Sequence, residues 1–135
     1  MKKNVFDKSA LIRLRLENAN ETLQAAHTLY EHNASPKSII NRAYYAMFYA
    51  TLALLVTTDS HSSKHSGVIA LFDKEFVKNN MVSKELGKML HEAFESRQEG
   101  DYKDYSKIDR KKATEILESA DEFVNTIEQK LKGQL

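Results

Sequence analysis

Three short stretches of the sequence combine cationic and aromatic side chains that suit the binding of a phosphate or a nucleobase. The first, "ESRQEGDY", carries Arg97 followed by Asp101 and Tyr102. The planar guanidinium of Arg97 is suited to contacting a phosphate, and Asp101 and Tyr102 would then form one wall of a polar cleft. Alternatively, Arg97 forms a salt bridge to Asp101 or to another acid, while Asp101 caps the turn after Gly100 and Tyr102 packs beneath the loop.

The second stretch, "NRAYYAMFY", places Arg42, Tyr45 and Tyr49 on one face of a predicted helix. Aromatic rings on such a face stack bases at roughly 1–3 kcal/mol each, and Arg42 would join Arg97 in a shared cleft. The competing interpretation is that the tyrosines are core residues and that Arg42 pairs with an acid on the first or last helix. Apolar stripes with helical spacing are usually core.

The third stretch, "SSKHSG", places Lys64 and His65 just before a predicted helix. Two cations beside free backbone amides can bind a nucleotide phosphate, although His65 can also simply pack against its loop. The other histidines lack the spacing of metal ligands and the chain has no cysteine, so we expect neither a metal site nor a cofactor.

Helical periodicity runs through the chain, and no strand-like alternation interrupts it. The single proline and four glycines favour long helices with short turns. The pattern predicts an all-α, antiparallel up-and-down bundle of four to five helices, forming a single domain over residues 1–135. The expected helices run from about Asp7 to about His32, from Ser35-Pro36, from a Ser62 or Ser63 cap through about Lys78, from Ser83 to Arg97, and from about Asp109.

The apolar run from Ala43 to Val56 is the feature most easily mistaken for a membrane span. It has fourteen residues, whereas a spanning helix needs about 20. Charged residues occupy the N-terminus where a signal peptide would be apolar, so we expect a soluble, cytoplasmic protein. Because this helix is apolar on all sides, it is surrounded by other helices or shared with a second subunit, which favours a homodimer.

Three segments in order, "NRAYYAMFYATLALL", "KHSGVIALFDKEFVKNN" and "ESRQEGDY", resemble the HEPN superfamily, in particular its small stand-alone prokaryotic branch. The resemblance covers about residues 8–130. It implies a helical bundle that dimerises, and a minimal nucleotidyltransferase as its antitoxin-like partner. Where such a partner silences a HEPN toxin, a tyrosine just after the motif receives AMP, which implies Tyr102 or Tyr105 here.

Active HEPN toxins are metal-independent ribonucleases that use an arginine and, four to six residues later, a histidine. Arg97 matches the arginine, but the following positions hold Tyr102, Lys103 and Asp104. Tyr102, with a reference pKa near 10, is a poor base at pH 7. We therefore expect an RNA- or nucleotide-binding module with weak or absent cleavage. The alternative is an active RNA endonuclease that uses Arg97, Asp101 and Tyr102.

Overall fold

The computed structural model describes residues 7–102 and 108–135, except for the side chains of residues 101, 102 and 134. These residues form five α-helices and no strand, as the sequence predicts. The helices are α1 (Lys8–Glu31), α2 (Pro36–Leu55), α3 (His65–Phe72), α4 (Lys84–Tyr102) and α5 (Arg110–Leu131). A π-helical turn, Asp73–Val77, extends α3, and a 3₁₀ turn, Lys132–Gln134, follows α5.

Local capping chemistry sets most of the helix boundaries. The side chains of Asp7, Ser35, Ser83 and Asp109 each accept a hydrogen bond from a backbone N–H in the first turn that follows, which satisfies donors that the helix itself leaves unpaired. All four caps stand where the sequence predicts a helix start. Asn33 adopts a left-handed conformation, with φ of 58°, and closes α1 before the short turn into α2.

The third and fourth helices differ from the predictions. Neither Ser62 nor Ser63 caps α3: its N-cap is Lys64, and the hydroxyl of Ser62 accepts a hydrogen bond from the N–H of Lys64 instead. The predicted break after Gly100 is also wrong, because α4 continues through Gly100 to Tyr102. Gly100 is buried against the stem of Lys37, and a Cβ there would lie 3.2 Å from the Lys37 Cγ.

Helix α2 forms the centre of the bundle, where it packs against all four other α-helices. Its fully buried side chains include Ile39, Tyr44, Met47 and Leu54. One stripe remains half-buried, formed by Tyr45, Tyr49 and Leu52. The apolar side chains of α2 are therefore mostly buried by helices of the same chain, and this stripe remains at the surface. No helix in the described part of the chain combines the length and apolarity that crossing a membrane would require.

Candidate functional site

Two arginines from different helices lie against one tyrosine ring. The guanidinium carbon of Arg97, on α4, is 5.4 Å from the centre of the Tyr45 ring, and that of Arg42, on α2, is also 5.4 Å from it. Arg97 additionally lies 5.9 Å from the Tyr44 ring. These distances are within the range of cation–π attraction. The packing of α4 on α2 thus brings Arg97 to Arg42 and Tyr45, although Arg97 follows Arg42 by 55 residues in sequence.

Arg42 is held in place by its neighbour rather than by the predicted acid. Its Nε and Nη2 atoms donate to Oδ1 of Asn41 at 3.3 and 3.1 Å. Because these bonds go to a neutral amide, the positive charge of Arg42 is directed but not neutralised by them. An anion arriving at this surface would meet that charge directly.

His65, the first residue of α3, belongs to the same cluster. Its Nδ1 atom forms a 2.9 Å hydrogen bond with the hydroxyl of the buried Tyr44, and its ring stacks on Phe48 with centres 4.2 Å apart and planes inclined by 18°. The His65 ring also lies 5.6 Å from the Tyr45 ring, edge to face. His65 therefore packs on α2. Its neighbour Lys64 is exposed.

The loop before α3 fixes the position of His65. Ser62 folds back so that its hydroxyl accepts from Lys64, and the backbone of Gly67 lies directly beneath it. A Cβ at position 67 would lie 2.1 Å from the Ser62 Oγ. Any larger residue at this position would therefore have to displace the side chain of Ser62, whose hydroxyl bonds to Lys64.

The electrostatics of the cluster keep His65 and Tyr44 neutral. Burial lowers the pKa of His65, and the charge of Arg97 lowers it further. Burial raises the pKa of Tyr44 well above its usual value, although Arg97 acts in the opposite direction. At pH 7 the cluster consequently holds the arginine charges beside a neutral imidazole and a protonated phenol. We call Arg42, Tyr44, Tyr45, His65 and Arg97 the arginine–tyrosine cluster.

This arrangement has the components of a phosphate- and base-binding surface. The guanidiniums supply directed donors and charge, and the half-buried Tyr45 and Tyr49 rings lie 6.1 Å apart on the adjoining face. The residues that the structure describes contain no group of three or more His, Asp or Glu side chains placed to hold a metal ion. The chemistry of the cluster thus comes from cations, rings and one imidazole.

Several predicted site residues remain untested by the geometry. Arg97 lies inside α4, five residues before its end, and not at the helix terminus as predicted. The backbone of Asp101 and Tyr102 continues that helix, but their side chains lie outside the described residues, as does the whole of Tyr105. The predicted cleft wall and the candidate AMP acceptors stay predictions.

Lys64 and His65 lie at a helix N-terminus, as the sequence predicts, with Lys64 as the N-cap and His65 as the first residue of α3. The bond of His65 to the buried Tyr44 is not predicted from the sequence. The need of a buried tyrosine hydroxyl for a partner was the available signal. Nothing in the 21-residue separation of Tyr44 and His65 identified that partner.

Comparisons with known proteins agree with this fold. The family model for the HEPN domain matches residues 12–130. A UPF0332 protein of Thermotoga maritima is 38% identical over 122 residues, covering 90% of this chain and 92% of that protein. Two proteins of Methanocaldococcus jannaschii, both named as putative toxins, are 36% and 34% identical; the matches cover 82% and 90% of this chain and 74% and 89% of those proteins. With a family match across most of its length and relatives at this level of identity, the chain belongs to the HEPN domain family.

Proposed function

We propose that this chain is a homodimeric, cytoplasmic RNA- or nucleotide-binding module and the toxin-like partner of a minimal nucleotidyltransferase. The observation that carries the proposal is the position of Arg42 and Arg97 on the same Tyr45 ring, with His65 beside it. Two directed cations next to an aromatic surface suit a ligand that has both a phosphate and a base. A toxin-like role fits the names of the two Methanocaldococcus relatives.

The proposed binding mode divides the ligand between two parts of the surface. Arg42 and Arg97 contact the phosphate, because guanidinium groups offer paired N–H donors to its oxygens. Tyr45 and Tyr49 stack with the base, since both rings are half-buried and retain accessible area. Lys64, exposed at the start of α3, adds a further charge near His65.

The proposed dimer packs beside the arginine–tyrosine cluster, at the edge of the half-buried stripe on α2, and leaves the Tyr45 and Tyr49 rings accessible to the base. A second subunit there would bring two arginine–tyrosine clusters close to one axis and create a groove for a single RNA strand. Modification of Tyr102 or Tyr105 with AMP by the nucleotidyltransferase partner would then add a charged group to the segment that follows Arg97 in sequence. Co-expression with the nucleotidyltransferase encoded beside this gene, where one is present, should relieve any growth arrest that the chain causes alone.

Binding can be measured by fluorescence anisotropy of a labelled single-stranded RNA and by competition with ATP. We expect Arg97→Gln and Arg42→Gln each to weaken RNA binding about tenfold, because a hydrogen bond to a charged group contributes about 1.5–3 kcal/mol. Arg13→Gln is the matched control: Arg13 is an exposed arginine on α1, bonded to Ser9. Equal losses in all three variants would mean that net charge alone drives binding, and would count against this site.

One observation favours a second function, metal-independent cleavage of RNA. The sequence has no imidazole after Arg97, but His65, from a different helix, lies on the same Tyr45 ring as Arg97. If Nδ1–H donates to the Tyr44 oxygen, Nε2 is free to take the proton of the RNA 2′-hydroxyl. The 2′-oxygen then attacks phosphorus, the bond to the 5′-oxygen breaks, and that oxygen leaves with a proton from the solvent or from Tyr102, as a cyclic phosphate forms.

The two functions separate when RNA is incubated with the purified protein and EDTA. The binding proposal predicts weak or absent cleavage. EDTA-insensitive cleavage that disappears in both Arg97→Ala and His65→Gln, but persists in His91→Gln, would establish the endonuclease instead. His91 is a suitable control because it pairs with Asp73 on the π-helical turn rather than with residues of the cluster.

A further inference from the structure

A cavity that the proposed function does not use lies at the end of the bundle where α2 terminates. Its volume is about 370 Å³, and it opens to solvent between the first two turns of α1, the last turn of α2 and the turn that follows. Of the α2 residues that line the cavity, Leu52 is the one nearest to Tyr45, and it lies seven residues, or about 10 Å, further along the helix axis. The volume is at the lower end of the range of about 300–1,000 Å³ that is usual for small-molecule sites.

The floor of this cavity is aliphatic. Leu11 comes from α1, and Leu52, Leu55 and Val56 come from the end of α2. The described lining contains no tyrosine or phenylalanine, so the cavity offers a nucleobase no aromatic ring to stack on. Such a floor favours a ligand with a saturated hydrocarbon part.

Arg15 introduces a half-buried positive charge into the lining. At the end of α2, the N–H of Val56 donates to the carbonyl of Ala53. The carbonyl of Leu52, one residue earlier, accepts a hydrogen bond from Arg15 Nη1 at 3.2 Å. This bond takes one of the five N–H groups of the guanidinium. Arg15 is half-buried, and this burial lowers the pKa of its guanidinium. A bound anion would compensate that lost solvation.

The hydroxyl groups of the wall are already committed to the protein. Thr58 Oγ1 donates to the carbonyl of Leu55 and accepts from the amide of Ser60, while Ser60 Oγ donates to Glu75. The charged side chains of the described lining are the two cations Lys8 and Arg15 and one carboxylate, Asp59, with the imidazole of His61 beside them. Charge complementarity therefore selects an anionic ligand.

We propose that this cavity binds a small aliphatic organic anion, with its charged head on Arg15 and Lys8 and its chain on Leu11, Leu52, Leu55 and Val56. The site is separate from the arginine–tyrosine cluster, and the proposal does not depend on the RNA-binding function. A carboxylate and a phosphate share the required chemistry, since both accept paired N–H donors.

The experiment titrates the full chain with octanoate and follows backbone amide signals by NMR. We expect shifts concentrated in residues 52–62 and the first two turns of α1. Butanoate should bind at least tenfold more weakly than octanoate, because each buried methylene contributes about fourfold in affinity, equivalent to about 0.8 kcal/mol. Octylamine should not bind. A comparison of the affinities of octyl phosphate and octanoate shows which head group the site prefers.

Variants test the role of the charge. Arg15→Gln should weaken octanoate binding about tenfold or more, whereas Arg13→Gln, two residues earlier on the exposed side of α1, should leave it unchanged. Lys8→Gln, at the exposed start of α1, tests the same head-group contact without touching the buried bond to Leu52. The proposal is overturned if octylamine binds as well as octanoate, if chain length has no effect, or if Lys8→Gln and Arg13→Gln behave alike.

Discussion

The hydrogen bond between Tyr44 and His65 ties α3 to the central helix, so its removal should have a measurable cost in stability. Tyr44 is fully buried, and its hydroxyl lies 2.9 Å from His65 Nδ1. Tyr44→Phe removes that oxygen and keeps the ring, which packs against Phe94 with centres 5.7 Å apart. The variant therefore isolates the hydrogen bond from the packing of the aromatic group.

The expected loss in the free energy of unfolding is about 0.5–1.5 kcal/mol, the usual net contribution of one hydrogen bond. His65 is half-buried, so water can reach its ring and replace part of the lost interaction. With an unfolding entropy of about 2.1 cal/mol/K for each of the chain's 135 residues, 1 kcal/mol corresponds to a decrease of about 3.5 °C in the melting temperature. Calorimetry or circular dichroism can resolve such a shift.

Tyr45→Phe is the control for this measurement, because Tyr45 is a half-buried tyrosine on the same helix whose hydroxyl bonds to no described residue. We expect it to change stability by less than about 0.5 kcal/mol. A double-mutant cycle of Tyr44→Phe with His65→Gln should give a coupling free energy of about 0.5–1.5 kcal/mol. Zero coupling, or an equal loss in Tyr45→Phe, would refute the assigned bond and with it the positioning of His65.

Three further predictions follow from the described contacts. Because the folded-state pKa of His65 is lowered, the unfolded chain binds a proton at His65 before the folded chain does as the pH falls below about 6.5. The free energy of unfolding should therefore decrease between this pH and the lower folded-state pKa. Urea denaturation should show a smaller pH dependence of stability for His65→Gln. Phe123→Ala should cost about 3–5 kcal/mol, measured by the same denaturation, because Phe123 is fully buried and its ring centre lies 5.5 Å from that of Phe72. Light scattering at micromolar concentration should give twice the 15.5 kDa mass of one chain, and a monomeric mass would contradict the proposed dimer.

The starts of α1, α2, α4 and α5 were predictable from sequence because their causes are local. Asp109 caps α5 through an N–H three residues away, and Ser35 does the same for α2. The extent of α4 was not predictable in this way. Gly100 is typical of a helix end, but α4 continues through it, and the stem of Lys37, on another helix, packs closely against it.

The candidate site was predictable only in its parts. The cationic and aromatic residues could be identified by type, and Arg42 could be grouped with Tyr45 because both lie on α2. The contact of Arg97 with Tyr45 depends on how α4 packs on α2, and the bond of His65 to Tyr44 depends on the return of the chain through the loop before α3. Such contacts are set by tertiary packing, so the spacing of residues along the sequence does not predict them.

The central claim is that Arg97 contacts a phosphate of bound RNA, and the salt dependence of binding tests it most directly. For single-stranded RNA, the logarithm of the affinity falls against the logarithm of salt concentration with a slope of about −0.7 for each phosphate neutralised. Our account predicts that Arg97→Gln makes this slope shallower by about 0.7, while Arg13→Gln leaves it unchanged. An unchanged slope in Arg97→Gln, or no RNA binding by the wild-type protein, would contradict the account.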